Sequence, residues 1–299
     1  MAAGNAIAVE EVGVGMLRIR TGLGAASIWA MASAIPAAAA APEVHFAPHR
    51  AVYEFTLART GAGSGVSEMA GRMVYELTGS ACEGFAQNMR FVTRTTNQDG
   101  SSQLNDLRSS SWEDLGRKLR FSSSQYRDDR LTEATQGDAS RPDEMAPAAV
   151  ELTRPAPRKV QLGSGVYFPI QHSAALIKAA RAGQIVFKAD LYDGSEKGEK
   201  VYATSAIIGR ELKPGAKAMP ASVKNGEKLD ALSSWPISIS YFEPDSDKKD
   251  ALPAYELAFR FYENGVSTKL AIDYGDFAIT GELKELTFHE PGKCPASAR

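Results

Sequence analysis

Apolar residues recur at every second position along most of this chain, and that period constrains its fold more than any other feature. It is the pattern of strands with one face buried. Ala51, Tyr53, Phe55 and Leu57 share one face, while Glu54 and Thr56 point the other way. Met69, Met73, Tyr75 and Leu77 stand against Arg72 and Glu76, and Phe85, Met89 and Phe91 against Asn88, Arg90 and Arg94. In the second half, Ile185, Phe187, Ala189 and Leu191 lead to Asp193-Gly194, and a run from Val201 to Ile208 returns, which predicts a hairpin with a polar loop. Trp235, Ile237, Ile239 and Tyr241 make another strand. Tyr255, Leu257, Phe259 and Phe261 reach Asn264-Gly265, and Val266, Thr268, Leu270 and Ile272 lead back. Asn-Gly between alternating runs predicts a two-residue type I′ turn, because both residues tolerate positive φ. Phe277, Ile279, Leu283, Leu286 and Phe288 complete an antiparallel meander.

One segment changes period. Ile170, Ala174, Ile177 and Arg181 fall at helical spacing, with Pro169 at the start and Gly183 past the end, which predicts a single helix of about three turns. The stretch from Thr135 to Lys159 holds Pro142, Pro147, Pro155 and Pro157 and is read as a long surface excursion, or else as a boundary between two subdomains.

The first forty residues stand apart. Arg18 and Arg20 precede an apolar run through Ile28, Trp29 and Ile35, then Pro36 and the alanines 37 to 41. That order is read as an export signal covering residues 1 to 40, with Met16 the true start, and 41 to 299 as one β-rich periplasmic domain. The apolar run is short for a membrane span of roughly 20 residues, and nothing after it is long enough to span, so no stable membrane anchor is expected after cleavage. In an oxidising compartment the two cysteines, Cys82 and Cys294, are read as one disulfide across most of the chain.

Among the 299 residues, 34 basic and 36 acidic side chains leave a net charge near −2, which offers no general pull toward nucleic acid. The search for chemistry returns no catalytic, cofactor-binding or metal-binding residues. His45, His49, His172 and His289 are not at metal-ligand spacing, and no nucleophile elbow or phosphate loop is present. His172 and Ser173 are adjacent on the expected helix and point about 100° apart, so they do not read as a base–nucleophile pair. Gly163-Ser164-Gly165 reads as a turn, and Glu113-Asp114 and Asp128-Asp129 as solvated turns. Phe55, Tyr75, Phe91, Phe187, Phe259 and Phe277 face inward on their strands. They form either an ordinary filled core or the lining of an apolar concavity for acyl chains or protein tails.

The runs GRMVYELTGSACEGF (71–85), NMRFVTR (88–94), FPIQHSAALIKAA (168–180), LYDGSEKGEK (191–200) and RFYENGVSTKLAIDYGDFAITGELKELTF (260–288) resemble the EipB-like cell-envelope integrity family of alphaproteobacteria. The resemblance implies a periplasmic protein whose strands form a curved antiparallel sheet, an open spiral or half-barrel around one helix, with Cys82 and Cys294 bridged. It implies a noncatalytic, cofactor-free role in keeping the envelope intact under stress, through binding another envelope protein, a lipid or a lipoprotein. The implied shape is similar to the half-barrel lipoprotein carriers of the periplasm, so a carrier of lipid or lipoprotein is the alternative function. A hydrolase with an unrecognised site is the second alternative.

Overall fold

The structure, a computed structural model, describes residues 43–61, 63–215, 223–243, 251–292 and 294. The expected export signal lies outside the described residues.

The alternating runs become strands because each can bury one face on the same core. Eight strands run in order: β1 (His49–Thr60), β2 (Val66–Ser80), β3 (Gly84–Asn97), β4 (Ser102–Glu113), β5 (Lys118–Arg127), β6 (Arg130–Ser140), β7 (Ala148–Arg154) and β8 (Arg158–Leu162). The short β9 (Val166–Tyr167) leads into helix α1 (Pro169–Arg181). Then come β10 (Val186–Leu191), β11 (Tyr202–Ile208), β12 (Ser234–Phe242), β13 (Tyr255–Tyr262), β14 (Ser267–Asp273) and β15 (Phe277–Phe288).

Among the described residues all fifteen strands belong to one sheet, in the order β8 back to β1, then β15 back to β9. The chain thus builds outward from β1 to one margin, restarts at the opposite margin, and returns until β15 zips against β1 from His49↔Phe288 to Thr60↔Phe277. The pairings are antiparallel, except that β9 joins β10 in parallel.

The sheet curls because its one helix lies inside it. Ile170, Leu176, Ile177 and Ala180 of α1 share a core with Leu77 and Phe85 on one side and Trp235, Ile237 and Phe261 on the other. The two margins meet through side chains: Leu119, Phe121, Val150 and Leu162 pack on Val166, Phe168 and Tyr192. The expected curved antiparallel sheet around one helix is the observed architecture. Cys82, in the turn between β2 and β3, is bridged to Cys294 with the Cα atoms 5.6 Å apart, a separation normal for a disulfide.

Four local expectations are corrected. The 135–159 stretch is not an excursion, because its prolines stand between β6, β7 and β8 while Ala148, Val150 and Leu152 alternate inward. Glu113, read with Asp114 as a solvated turn between strand-like runs, is buried at the end of β4. Ile185 lies just before β10 and is exposed. Finally, Gly265 has φ +87° while Asn264 keeps negative φ. The turn is therefore a three-residue hairpin in which Gly265 N–H donates to Tyr262 O and Tyr262 N–H to Val266 O, a type I turn closed by a left-handed glycine.

Candidate functional site: a hollow beneath the helix

The helix is held in place at both ends. At its C-terminus Gly183, at φ +72°, donates to Ala180 O, and Gln184 N–H donates to Ala179 O, the paired bonds of a Schellman cap. At its N-terminus the capping position is Phe168, which has no side-chain oxygen to offer the exposed N–H groups. Glu113, at the end of β4, supplies them instead. Its carboxylate accepts from Ile170 N–H at 2.7 Å and Gln171 N–H at 2.8 Å.

Glu113 is therefore not a solvated turn residue. Its side chain is 1 % exposed, and burial pushes its carboxyl up to about 8, against the pull of the two backbone N–H groups and of Arg141. Arg141, buried nearby, stacks over Phe168 at 4.4 Å. It donates to Val166 O at 2.7 Å, to Gln171 Oε1 at 2.8 Å and to Gly116 O. These bonds join the β4–β5 turn, β9 and the start of α1. They belong to the scaffold, because each polar atom is spent on fixing the helix.

Below the fixed helix the inward strand residues do not meet. A cavity of about 450 Å³ opens between the first turns of α1 and strands β1, β2, β3, β13 and β14. That is within the roughly 300–1,000 Å³ typical of small-molecule sites. Its walls are Phe55, Met73, Tyr75, Met89, Phe91, Leu257, Phe259 and Ile272. Of the six aromatic residues expected to face inward, Phe55, Tyr75, Phe91 and Phe259 line this hollow. Phe187 packs instead on Tyr167 and His172, and Phe277 on Tyr274.

The polar groups at the wall are engaged. Tyr53 Oη donates to Ser267 O at 2.7 Å, and Gln87 Nε2 donates to Tyr75 Oη at 2.8 Å. His172 is buried with Nε2 3.3 Å from Thr204 Oγ1, and burial lowers its ring to about 4, so it stands neutral. Its ring nitrogen is directed to Thr204, and no contact joins it to Ser173. Among the described residues no group of three or more His, Cys, Asp or Glu could hold a metal ion, and no helix is long and apolar enough to cross a membrane.

A second chamber of about 500 Å³ continues from the first, sharing Tyr75, Gln87, Met89, Leu107, Pro169 and Asp193 with it. Its character is different. β4 and β5 contribute Ser109, Ser111, Ser123 and Gln125, and Glu133, Ser195 and Glu196 add to them. The hollow as a whole is thus apolar beneath α1 and more polar toward β4 to β6, where serines and carboxylates join Met89, Leu107 and Phe121. Sequence reading missed this half because strands that are polar on both faces show no alternation.

The comparisons with known proteins agree with this architecture. The EipB-like family model matches residues 40–290. The cell envelope integrity protein EipB of Brucella abortus (strain 2308) is 36% identical over 279 residues, which cover 93% of this chain and 96% of that protein. Among solved structures, the crystal structure of a beta-barrel-like protein of a domain of unknown function from Brucella abortus aligns with a TM-score of 0.74 at 35% identity, covering 83% of this chain and all of that one. A family match across the length of the sheet, a relative of this identity and a shared fold agree: the chain belongs to the EipB-like family.

Proposed function

We propose that this protein works in the periplasm as a noncatalytic envelope-integrity factor, and that it acts by holding an apolar chain of another envelope component in the hollow beneath α1. The name of the Brucella relative supports the envelope role. The observation that carries the binding reading is the cavity of about 450 Å³ walled by Phe55, Met89, Phe91 and Phe259. Close packing normally fills such a space with side chains. Here the helix above it is tied at its start to the end of β4 by the Glu113 cap.

The same hollow suits a carrier of lipid or of acyl-modified protein, since both present an alkyl chain. A hydrolytic reading lacks support, because the hydroxyl that meets the His172 ring, Thr204 Oγ1, is buried and donates its proton to Ala189 O at 2.7 Å.

The test is complementation. A strain lacking the gene is expected to become sensitive to detergent and cell-wall antibiotics, and the wild-type chain to restore resistance. Met89→Trp fills the junction of the two chambers and should fail to restore it while folding normally by circular dichroism. Full restoration by a folded Met89→Trp would refute the role given to the hollow.

A further inference from the structure

The hollow reading leaves the ligand's head group open, and the side chains around the polar chamber constrain it. The lining of the two chambers carries Glu133, Asp193 and Glu196 and, among the described residues, no lysine or arginine. The two histidines on the wall add no charge, since burial lowers both rings. Lys200, which is not a lining residue, pairs with Glu196 and Glu243 at 2.7 Å each and stands over the Tyr202 ring at 5.8 Å, which leaves Glu133 and Asp193 as the other lining carboxylates. An anionic head group would have to enter a low-dielectric pocket against them.

A second, independent feature stands at the wall of the first chamber, which Asp193 also lines. Four tyrosines gather there from β11, β12, β13 and the β14–β15 turn. Tyr241 and Tyr255 stack at 4.4 Å, Tyr202 meets both edge-on at about 6 Å, and Tyr274 tilts against Tyr255 at 6.5 Å. Tyr241 and Tyr274 present themselves to the hollow. Asp193 lines the same chamber as Tyr241 and Tyr274, and after burial its charge helps to push the Tyr241 hydroxyl up. Aromatic rings beside a carboxylate are the arrangement that recognises an ammonium group, through ring quadrupoles and ion pairing together.

We propose that the hollow selects ligands by head-group charge: it takes an alkyl chain that carries an ammonium group, with the chain among Phe55, Phe91 and Phe259 and the ammonium held by Asp193 beside the Tyr241 and Tyr274 rings. This rests on the binding reading above and adds to it the class of ligand. Hydroxyl-rich neutral heads are tolerated by the serines of β4 and β5, and carboxylate or phosphate monoester heads are excluded.

Isothermal titration with three dodecyl amphiphiles below their micelle concentrations tests both levels. Dodecyl maltoside probes the hollow, and dodecyltrimethylammonium and dodecanoate probe the charge preference. The expected order is trimethylammonium tighter than maltoside by about tenfold, the scale of one partly desolvated cation–aromatic contact, with dodecanoate weakest. Asp193→Asn keeps the oxygen that accepts Ser195 N–H at 2.8 Å and should weaken the cation several-fold more than it weakens maltoside, removing most of the cation's advantage. Dodecanoate binding as tightly as the cation would overturn the proposal and leave the hollow reading standing. So would a cation preference that survives both Asp193→Asn and Glu133→Gln. Failure of all three to bind would sink both.

Discussion

Removing the Cys82–Cys294 bridge should lower the melting temperature of the whole domain, and by an amount that depends on where the bridge acts. The two cysteines are 212 residues apart in sequence. Strands β3 to β15 lie inside that loop, and β1 and β2 precede it. In the chain-entropy account a closed loop of this size restricts the unfolded chain by about 5 kcal/mol, with native-state strain and residual structure reducing what is realised. If half of that is realised, loss of the bridge costs about 2 to 3 kcal/mol, which for a domain of this size lowers Tm by roughly 5 to 12 °C. The competing possibility is that the bridge only pins the tail. Few bonds hold that tail besides it: His289 N–H donates to Pro48 O at 2.9 Å, and Gly292 N–H donates to Gly79 O at 3.4 Å. A local clamp of this kind would fray without melting the sheet. The assay is calorimetry on the double variant Cys82→Ser/Cys294→Ser beside the oxidised wild type, with amide exchange on both. A Tm within about 2 °C of wild type, with exchange rising only after residue 288, would refute the global account.

Glu113 should give the protein a distinctive pH dependence. Its carboxyl is raised to about 8 in the folded chain from an ordinary 4.5, so its contribution to stability is full below about 4.5 and is lost as the pH climbs through about 8. The unfolding free energy from urea titration should therefore fall between pH 5 and pH 8, by on the order of a few kcal/mol, and that slope should vanish in Glu113→Gln. An unchanged slope in the variant would assign it to other groups. Gly183→Ala should cost about 1 kcal/mol through left-handed strain alone, since a Cβ there meets nothing within 4 Å, and Gly183→Asn should cost less. Chemical denaturation measures both, and equal costs would mean that strain is not the cause.

How far the sequence could be read follows from what each strand faces. β1 to β3 and β11 to β15 lie between solvent and an apolar interior, so their residues alternate and the strands are legible. The helix announced itself through Pro169 and Gly183, and both occupy the expected places. The serine runs of β4 and β5 face solvent outside and the more polar chamber inside, so no period emerges there, although Leu119 and Phe121 alternate inward at the start of β5. β6 to β8 were hidden for a different reason. Their prolines are in the connections, and proline counted over a window says loop even where Val150 and Leu152 alternate between them. Glu113 was beyond reach: Glu-Asp after a strand reads as a solvated turn, and only the fold brings α1, 57 residues later, onto its carboxylate.

Native mass spectrometry of protein taken directly from the cell envelope fraction tests the central claim most directly. The account predicts a wild-type mass carrying one alkyl-bearing molecule, released by organic extraction and absent from Met89→Trp. A wild-type chain that arrives with the mass of the bare polypeptide, and that takes up no amphiphile afterwards, would contradict it.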